Sequence, residues 1–360
     1  MNVFALHPGA RVLVTGANGF IASHTINELL KLGYRVRGTV RNPKPWLDDH
    51  FTHRYGPGMF QTAPVASFQD SREIDAALDD VDGIVHLVAP WARKATLSVL
   101  EAALGRPSIQ RVVLGSSSMA AYTPIPGKRE IRVDESTWNL SAIRKAWETD
   151  SYTTSTPDVS HLDWNSLSNV NNAPSPRNQH EYAKMLITYG ACKTQCELEA
   201  WRWVRSNRCS FGFNTVLPAF TVGRILHPQI PGSTMGWVRS LLIGNRTPLS
   251  LIPPKWFVDV EDVARLFVVA LLAPSVTSER LFAFGESTNW TDVVRILRQL
   301  DPGNTQIPIP PEREERDHAE IVPRGRAVRL LQQFYGQSSM TPIATSIANG
   351  IPKDRLLGTV

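Results

Sequence analysis

Cysteine is scarce in this chain of 360 residues: there are three, Cys192, Cys196 and Cys209, close together in the sequence. An odd number in a long chain excludes the disulfide framework of a small secreted protein. Cys192 and Cys196 stand four apart, on one face of an expected helix. No histidine or carboxylate cluster completes a metal set, so packing is the reading for both. Long apolar runs are missing too. The longest, Leu266–Ala273 between Arg265 and Pro274, is far too short to span a bilayer. Residues 1–10 lack the charged segment and apolar stretch of a secretory signal, so a soluble, cytoplasmic protein without membrane association is expected. Nor is there an excess of one charge. The net charge of +5 is spread evenly, with no Lys/Arg block and so no basic stripe for nucleic acid. No internal repeat is present. What remains, 42% hydrophobic and 20% charged, is a globular composition able to build a sizeable core.

Local patterning then gives the fold class. Val12-Leu13-Val14 predicts a short buried strand. The turn Thr15-Gly16-Ala17-Asn18-Gly19 follows, then Ile26, Leu29 and Leu30 at helical spacing up to Gly33. Val36 to Val40 reads as a second strand, completing a βαβ unit. Further strands are expected at Ile84–Val88, Val112–Leu114 and Asn214–Leu217, and helices at Ala95–Leu104 and Tyr189–Val204. Strands alternating with helices imply an α/β protein with a parallel sheet covered on both faces. The stretch from Asp150 to His180 is rich in Ser, Thr, Asn and Pro and reads as a surface loop or disordered insertion. Residues 232–254 are punctuated by Gly and Pro. Asp262 is placed as the N-cap of an apolar helix ending at Leu272. Ile307 to Pro311 reads as a stiff linker, and the charged run Glu312 to Glu320 as a solvated surface.

The first turn carries chemistry. Gly16-x-x-Gly19-x-x-Ala22 joins a strand to a helix. In that context the first glycine permits the tight turn and the second lets backbone N–H groups approach a pyrophosphate. Ala22 keeps the helix close to the sheet, and the helix N-terminus faces the anion. An NAD enzyme usually offers a carboxylate to the ribose at the end of the second strand. Here Val36-Arg37-Gly38-Thr39-Val40-Arg41 contains no acid, and Lys44 follows. Arg41 can bind a 2′-phosphate through paired hydrogen bonds, so NADPH is the expected cofactor.

Tyr189-Gly190-Ala191-Cys192-Lys193 is the only Tyr-x-x-x-Lys in the chain. Residues four apart share a helix face. An ammonium beside a phenol stabilises the phenolate, which an ordinary phenol with pKa near 10 needs for acid–base work at neutral pH. The same residues also suit a packed Tyr and a surface Lys. Ser116-Ser117-Ser118 follows a parallel strand, where a hydroxyl points into the ligand crevice. A plain polar turn is the alternative there. No Gly-x-Ser-x-Gly elbow suggests a hydrolase.

Together these motifs resemble the extended short-chain dehydrogenases/reductases. Val14-Thr15-Gly16-Ala17-Asn18-Gly19-Phe20-Ile21-Ala22-Ser23-His24, Arg37-Gly38-Thr39-Val40-Arg41, the serine triplet and Tyr-x-x-x-Lys carry the likeness. The branch is that of dihydroflavonol reductase, cinnamoyl-CoA reductase and the yeast methylglyoxal reductases. Asp134-Glu135-Ser136-Thr137-Trp138-Asn139, Lys193 to Trp201, Asn214 to Pro218, Gly232 to Trp237, Pro254 to Val260 and Arg280 to Phe284 are similar to the fungal NADPH-dependent aldehyde reductase 2 group. The resemblance spans almost the whole chain. It implies that Ser117 binds the carbonyl oxygen, Tyr189 is the proton donor, and Lys193 steadies the phenolate and anchors the nicotinamide ribose. It further implies cofactor contacts from Gly16, Asn18, Gly19, Phe20, Ile21, Arg41, Lys44, Val88, Ala89, Leu217 and Pro218, with Val216 beside them.

Three departures accompany the likeness. The acid that contacts adenine in the family falls at Ser67-Phe68. The segment after His86-Leu87-Val88-Ala89 is short, which implies a more open cofactor site. The stretch between Trp138 and Tyr189 is long, and could be a lid or an unstructured excursion. The expected architecture is a Rossmann-like NADP-binding domain over 1–217, with the polar insertion at about 150–180. A mainly substrate-binding domain over 218–360 follows, the chain crossing back near 255–275. The expected activity is NADPH-dependent reduction of a ketone or aldehyde, such as a fungal secondary-metabolite ketone, by a monomer or homodimer. A nucleotide-sugar epimerase or dehydratase and a non-catalytic NADPH sensor are the alternatives. Trp91, Trp237 and Trp256 suit either an aromatic substrate pocket or a core.

Overall fold

The computed structural model describes residues 4–87, 93–148 and 176–352. The first half runs β1 (Arg11–Val14), α1 (Phe20–Lys31), β2 (Arg35–Val40), α2 (Pro45–Tyr55), β3 (Phe60–Pro64), α3 (Ser71–Ala77), β4 (Gly83–His86), α4 (Arg93–Leu104) and β5 (Arg111–Gly115). A 3-10 turn at Ser118–Ala120, β6 (Arg132–Val133), α5 (Leu140–Glu148), α6 (Pro176–Ser206), β7 (Gly212–Pro218) and β8 (Phe220–Val222) come next. Then follow α7 (Thr234–Ser240), a 3-10 turn at Leu241–Ile243, α8 (Thr247–Leu251), β9 (Lys255–Asp259) and α9 (Val260–Leu272). The chain closes with β10 (Arg280–Ala283), β11 (Glu286–Thr288), α10 (Trp290–Leu300), β12 (Glu320–Ile321), α11 (Arg324–Tyr335) and α12 (Ile343–Gly350).

Seven strands form one parallel sheet in the order β10-β7-β5-β4-β1-β2-β3. The chain moves outward from β1 through β2 to β3, then returns to place β4 on the other side of β1. The order therefore reverses between β1 and β4, and the carboxyl ends of strands at such a switch point are the usual ligand position in sheets of this kind. The central strands β1, β4 and β5 are Val/Leu/Ile-rich without alternation because helices cover both faces. α9 is the most deeply buried of these helices. Its segment Leu266–Leu272 is wholly inaccessible, so the longest apolar run is core, and the helix packs on α1 and α11. Each such Leu, Val or Phe contributes about 1.5–3 kcal/mol. Among the described residues no helix is long and apolar enough to cross a membrane, and no group of three potential ligands could hold a metal ion.

A second, three-stranded sheet, β11-β9-β8, lies beyond the end of β7. Its own apolar cluster gathers Met235, Trp237, Phe257, Trp290 and Ile347 from α7, β9, α10 and α12. After β9 the chain returns to the large sheet, adding α9 to one face and β10 to the edge.

Four local expectations need correction. The N-cap of α9 is Asp259, whose carboxylate accepts from Glu261 N at 2.7 Å. Asp262 lies inside the helix, where it accepts from Thr341 N and Gln337 Nε2. The run Glu312–Glu320 is not simply a solvated face: Asp317 is fully buried and accepts the Tyr122 hydroxyl proton at 2.6 Å. The linker around Ile307 is anchored, for Ile307 is buried and Arg298 donates to its carbonyl and to that of Pro308. Finally, α6 begins at Pro176, within the end of the polar stretch, and residues 150–175 lie outside the described residues.

Candidate active site

The first turn is held by backbone. Thr15 N donates to Val85 O, Ala17 N to Thr39 O, and Gly16 N to Thr39 Oγ1. Thr15 Oγ1 accepts from Leu87 N at 2.8 Å and meets His86 Nδ1 at 3.2 Å. Gly16 has φ +65°, and a Cβ there would lie 2.9 Å from the Leu87 carbonyl oxygen. Only glycine meets both conditions. Gly19 is the N-cap of α1, and no side chain caps this helix start or places an acid in its first turn. The first N–H groups, at Phe20, Ile21 and Ala22, have no acceptor within the helix. Together with the positive end of the helix dipole they suit a phosphate. Asn18 is half-buried in the same turn. The Phe20 side chain is core, which leaves its backbone N–H as the group it offers the turn. It is 5% exposed, packs in the cluster of Trp237, Tyr182 and Met185, and meets the His24 ring edge-on.

The end of β2 matches the expected charge pattern. Arg37 is buried and donates to Ala77 O and Asp79 O, so it is committed to structure. Arg41 is exposed directly after the strand, and Lys44 stands at the N-cap of α2. Ser67 is exposed: its N–H donates to Glu73 Oε2 and its hydroxyl oxygen accepts from Gln69 N. Phe68 presents its ring to His86, 5.6 Å between centroids. Burial, with the Lys193 charge, pushes His86 down to about 3, so this imidazole is neutral. Val88 and Ala89, and Trp91, lie outside the described residues. Trp237 is core and Trp256 packs on Phe284 and beneath Arg324.

The other half of the site comes from β5, β7 and α6. Ser117 has an extended backbone and is buried; its Oγ accepts from Met119 N at 3.2 Å, which keeps its own proton available for donation. α6 packs directly against this segment. Lys193 is buried and its Nζ donates to Gly115 O at 3.1 Å; Thr194 Oγ1 donates to Ala120 O and Gly190 O. Gly190 faces Ala142, Asn139 and Met119, and an added Cβ would meet them at ordinary contact distances of 3.4–3.5 Å. Asn139 Nδ2 braces the same segment through Met119 O at 2.8 Å. Tyr189 is half-buried, one residue before that glycine. Leu217 and Pro218 close the end of β7, where Leu217 pairs with Phe282. Thr15, His86, Asn139 and Gly190 stand inside the quoted motifs but were given no role there.

This arrangement has relatives. Residues 12–137 match the model of the NAD dependent epimerase/dehydratase family. The chain is 41% identical over 362 residues to the ketoreductase adrE of Penicillium rubens, covering 96% of this chain and 97% of that one. It is 34% identical to aldehyde reductase 2 of Sporidiobolus salmonicolor, covering 83% and 84%. The fold is shared with the yeast methylglyoxal/isovaleraldehyde reductase Gre2 solved with NADPH, at a TM-score of 0.71, 21% identity and coverage of 94% and 96%. With a matching family model over the first strand–turn–helix and a relative this similar over nearly its whole length, the chain belongs to the NAD dependent epimerase/dehydratase family, the extended short-chain dehydrogenases/reductases.

Proposed function

We propose that the protein is an NADPH-dependent ketoreductase in which Ser117, Tyr189 and Lys193 act together on a carbonyl oxygen. The observation that carries this is the seating of α6 on the end of β5: it sets Lys193 against Gly115 O, two residues from Ser117 and one helical turn from Tyr189. The ketoreductase and aldehyde reductase names of the relatives support the same reading. NADPH suits the residues present. Its pyrophosphate would rest on the turn from Gly16 to Ile21, and its 2′-phosphate on Arg41 and Lys44. When bound, it supplies the hydride for the carbonyl carbon.

The chain's own groups do the rest. Ser117 donates its hydroxyl proton in a hydrogen bond to the carbonyl oxygen, holding and polarising it. Tyr189 transfers its phenolic proton to that oxygen as negative charge develops there. Lys193, kept in place by the Gly115 carbonyl, leaves a positive charge beside the phenolate that results. Ahead of Tyr189 on the same helix, Tyr182 and Met185 pack with Trp237, the Tyr182 and Trp237 rings edge-on at 6.2 Å.

The test is NADPH consumption by the purified protein with aryl ketones, β-keto esters and aldehydes. Turnover with NADPH that exceeds that with NADH and falls about 10²–10⁴-fold in Tyr189→Phe, with NADPH affinity retained, supports the reading. NADPH binding without turnover on any carbonyl, or full activity in the variant, overturns it.

A further inference from the structure

One buried charge next to this site has no part in the steps above. Glu197 lies one helical turn beyond Lys193 and is wholly inaccessible. Its carboxylate accepts from Ser116 Oγ at 2.7 Å, Thr215 Oγ1 at 2.7 Å, Trp201 Nε1 at 3.4 Å, and Arg280 Nε and Nη2 at 2.8 and 3.2 Å. Arg280 is itself tied down. Its Nη1 donates to the carbonyls of Glu135 and Thr137, and its guanidinium carbon lies 3.7 Å from the Trp138 ring centroid. The network joins α6, the end of β5, β7, β10 and the loop before α5.

Such an ion pair is not the obvious way to hold a helix to a sheet, because apolar side chains of similar volume do so as well or better. Apolar packing, however, is non-directional, whereas a hydrogen bond fixes distance and angle. The contacts fall in a register. Lys193 holds Gly115 O and Glu197 holds the Ser116 hydroxyl, so successive turns of one helix grip the two residues immediately before Ser117. The helix that carries Tyr189 and Lys193 therefore carries the restraint on Ser117 as well.

We propose that Glu197, oriented by Arg280, is a positioning residue: through Ser116 it sets the Ser117 hydroxyl relative to Tyr189 and Lys193. This rests on the ketoreductase reading of those three residues. The experiment compares two hydroxyl deletions that each remove one donor from the same carboxylate, Ser116→Ala on β5's end and Thr215→Val on β7. The proposal expects Ser116→Ala to lose about tenfold in kcat, with carbonyl KM and NADPH Kd within twofold of the parent. Thr215→Val should stay within twofold in kcat, although both variants melt slightly earlier. Equal kcat losses in the two variants would show that the network is only structural glue. A Ser116→Ala enzyme with unchanged kcat, or with its loss confined to KM, also overturns the proposal. Should the parent protein reduce no carbonyl at all, the ketoreductase reading fails by itself. The positioning claim is then decided by amide exchange at Met119, whose N–H is held by Ser117 Oγ. Exchange at least tenfold faster in Ser116→Ala upholds it, and an unchanged rate refutes it.

Discussion

Gly16→Ala separates the two demands that the cofactor turn makes on its first glycine. Gly16 has φ +65°, and an alanine in the left-handed region costs about 1–2 kcal/mol. The new Cβ would also stand 2.9 Å from the Leu87 carbonyl oxygen, closer than real Cβ contacts come. The turn must therefore move away from β4, and the start of α1 moves with it. Gly33 provides the control: its φ is +81°, and nothing lies within 4 Å of an added Cβ. Gly33→Ala should lose the same 1–2 kcal/mol and leave the cofactor turn untouched. Urea unfolding followed by tryptophan fluorescence should show both losses, with Gly16→Ala the larger. NADPH titration should then show affinity reduced at least tenfold in Gly16→Ala, a change of about 1.4 kcal/mol or more, and unchanged within twofold in Gly33→Ala. If folded Gly16→Ala binds NADPH as the parent does, or if Gly33→Ala weakens binding equally, the steric account of the turn is wrong.

Three further outcomes are expected. Arg41→Ala should raise the KM for NADPH roughly tenfold or more, as befits loss of charge-assisted hydrogen bonds of about 1.5–3 kcal/mol, and leave that for NADH unchanged in steady-state assays. Tyr122→Phe should cost about 1–3 kcal/mol of stability in urea, because it removes a donor from the buried Asp317 carboxylate. His24 donates from Nε2 to Arg224 O, and burial pushes it down to about 4 from an ordinary 6.5. The unfolded chain thus binds the proton first, and stability falls as the pH drops from 6.5 toward 4, by about 1.4 kcal/mol per unit for this one group. Asp259, pushed up to about 6 by burial, opposes that slope in the same window. Denaturant midpoints measured across the window should therefore lose one proton's worth of slope in His24→Gln relative to the parent, and an unchanged slope would contradict this assignment.

The legible parts of the molecule were those whose geometry is set by near neighbours. The strand–turn–helix around Gly16, the amphipathic helices and the four-residue spacing of Tyr189 and Lys193 all follow from local periodicity and turn chemistry. Asp262 shows the limit of such reasoning. Two acids stand three apart at one helix start, and only the backbone decides that Asp259 is outside the helix while Asp262 is within it. Asp317 shows a second limit. Within a charged run nothing marks one aspartate for burial, because its partner Tyr122 lies 195 residues away.

Composition and local pattern alone determined the α/β class, the glycine-rich strand–turn–helix, the missing acid at the end of β2, the serine triplet and the Tyr189–Lys193 spacing; the choice of Ser117 within the triplet came from the family resemblance. Tertiary structure alone decided that Phe20 serves the core with its ring, that β10 returns to the large sheet beside β7, and that Glu197 and Arg280 meet across 83 residues. The physical reason is one of range. Periodicity and capping act within a turn or two of chain, whereas the pairing of buried charges is settled only when distant segments exclude water from the same place.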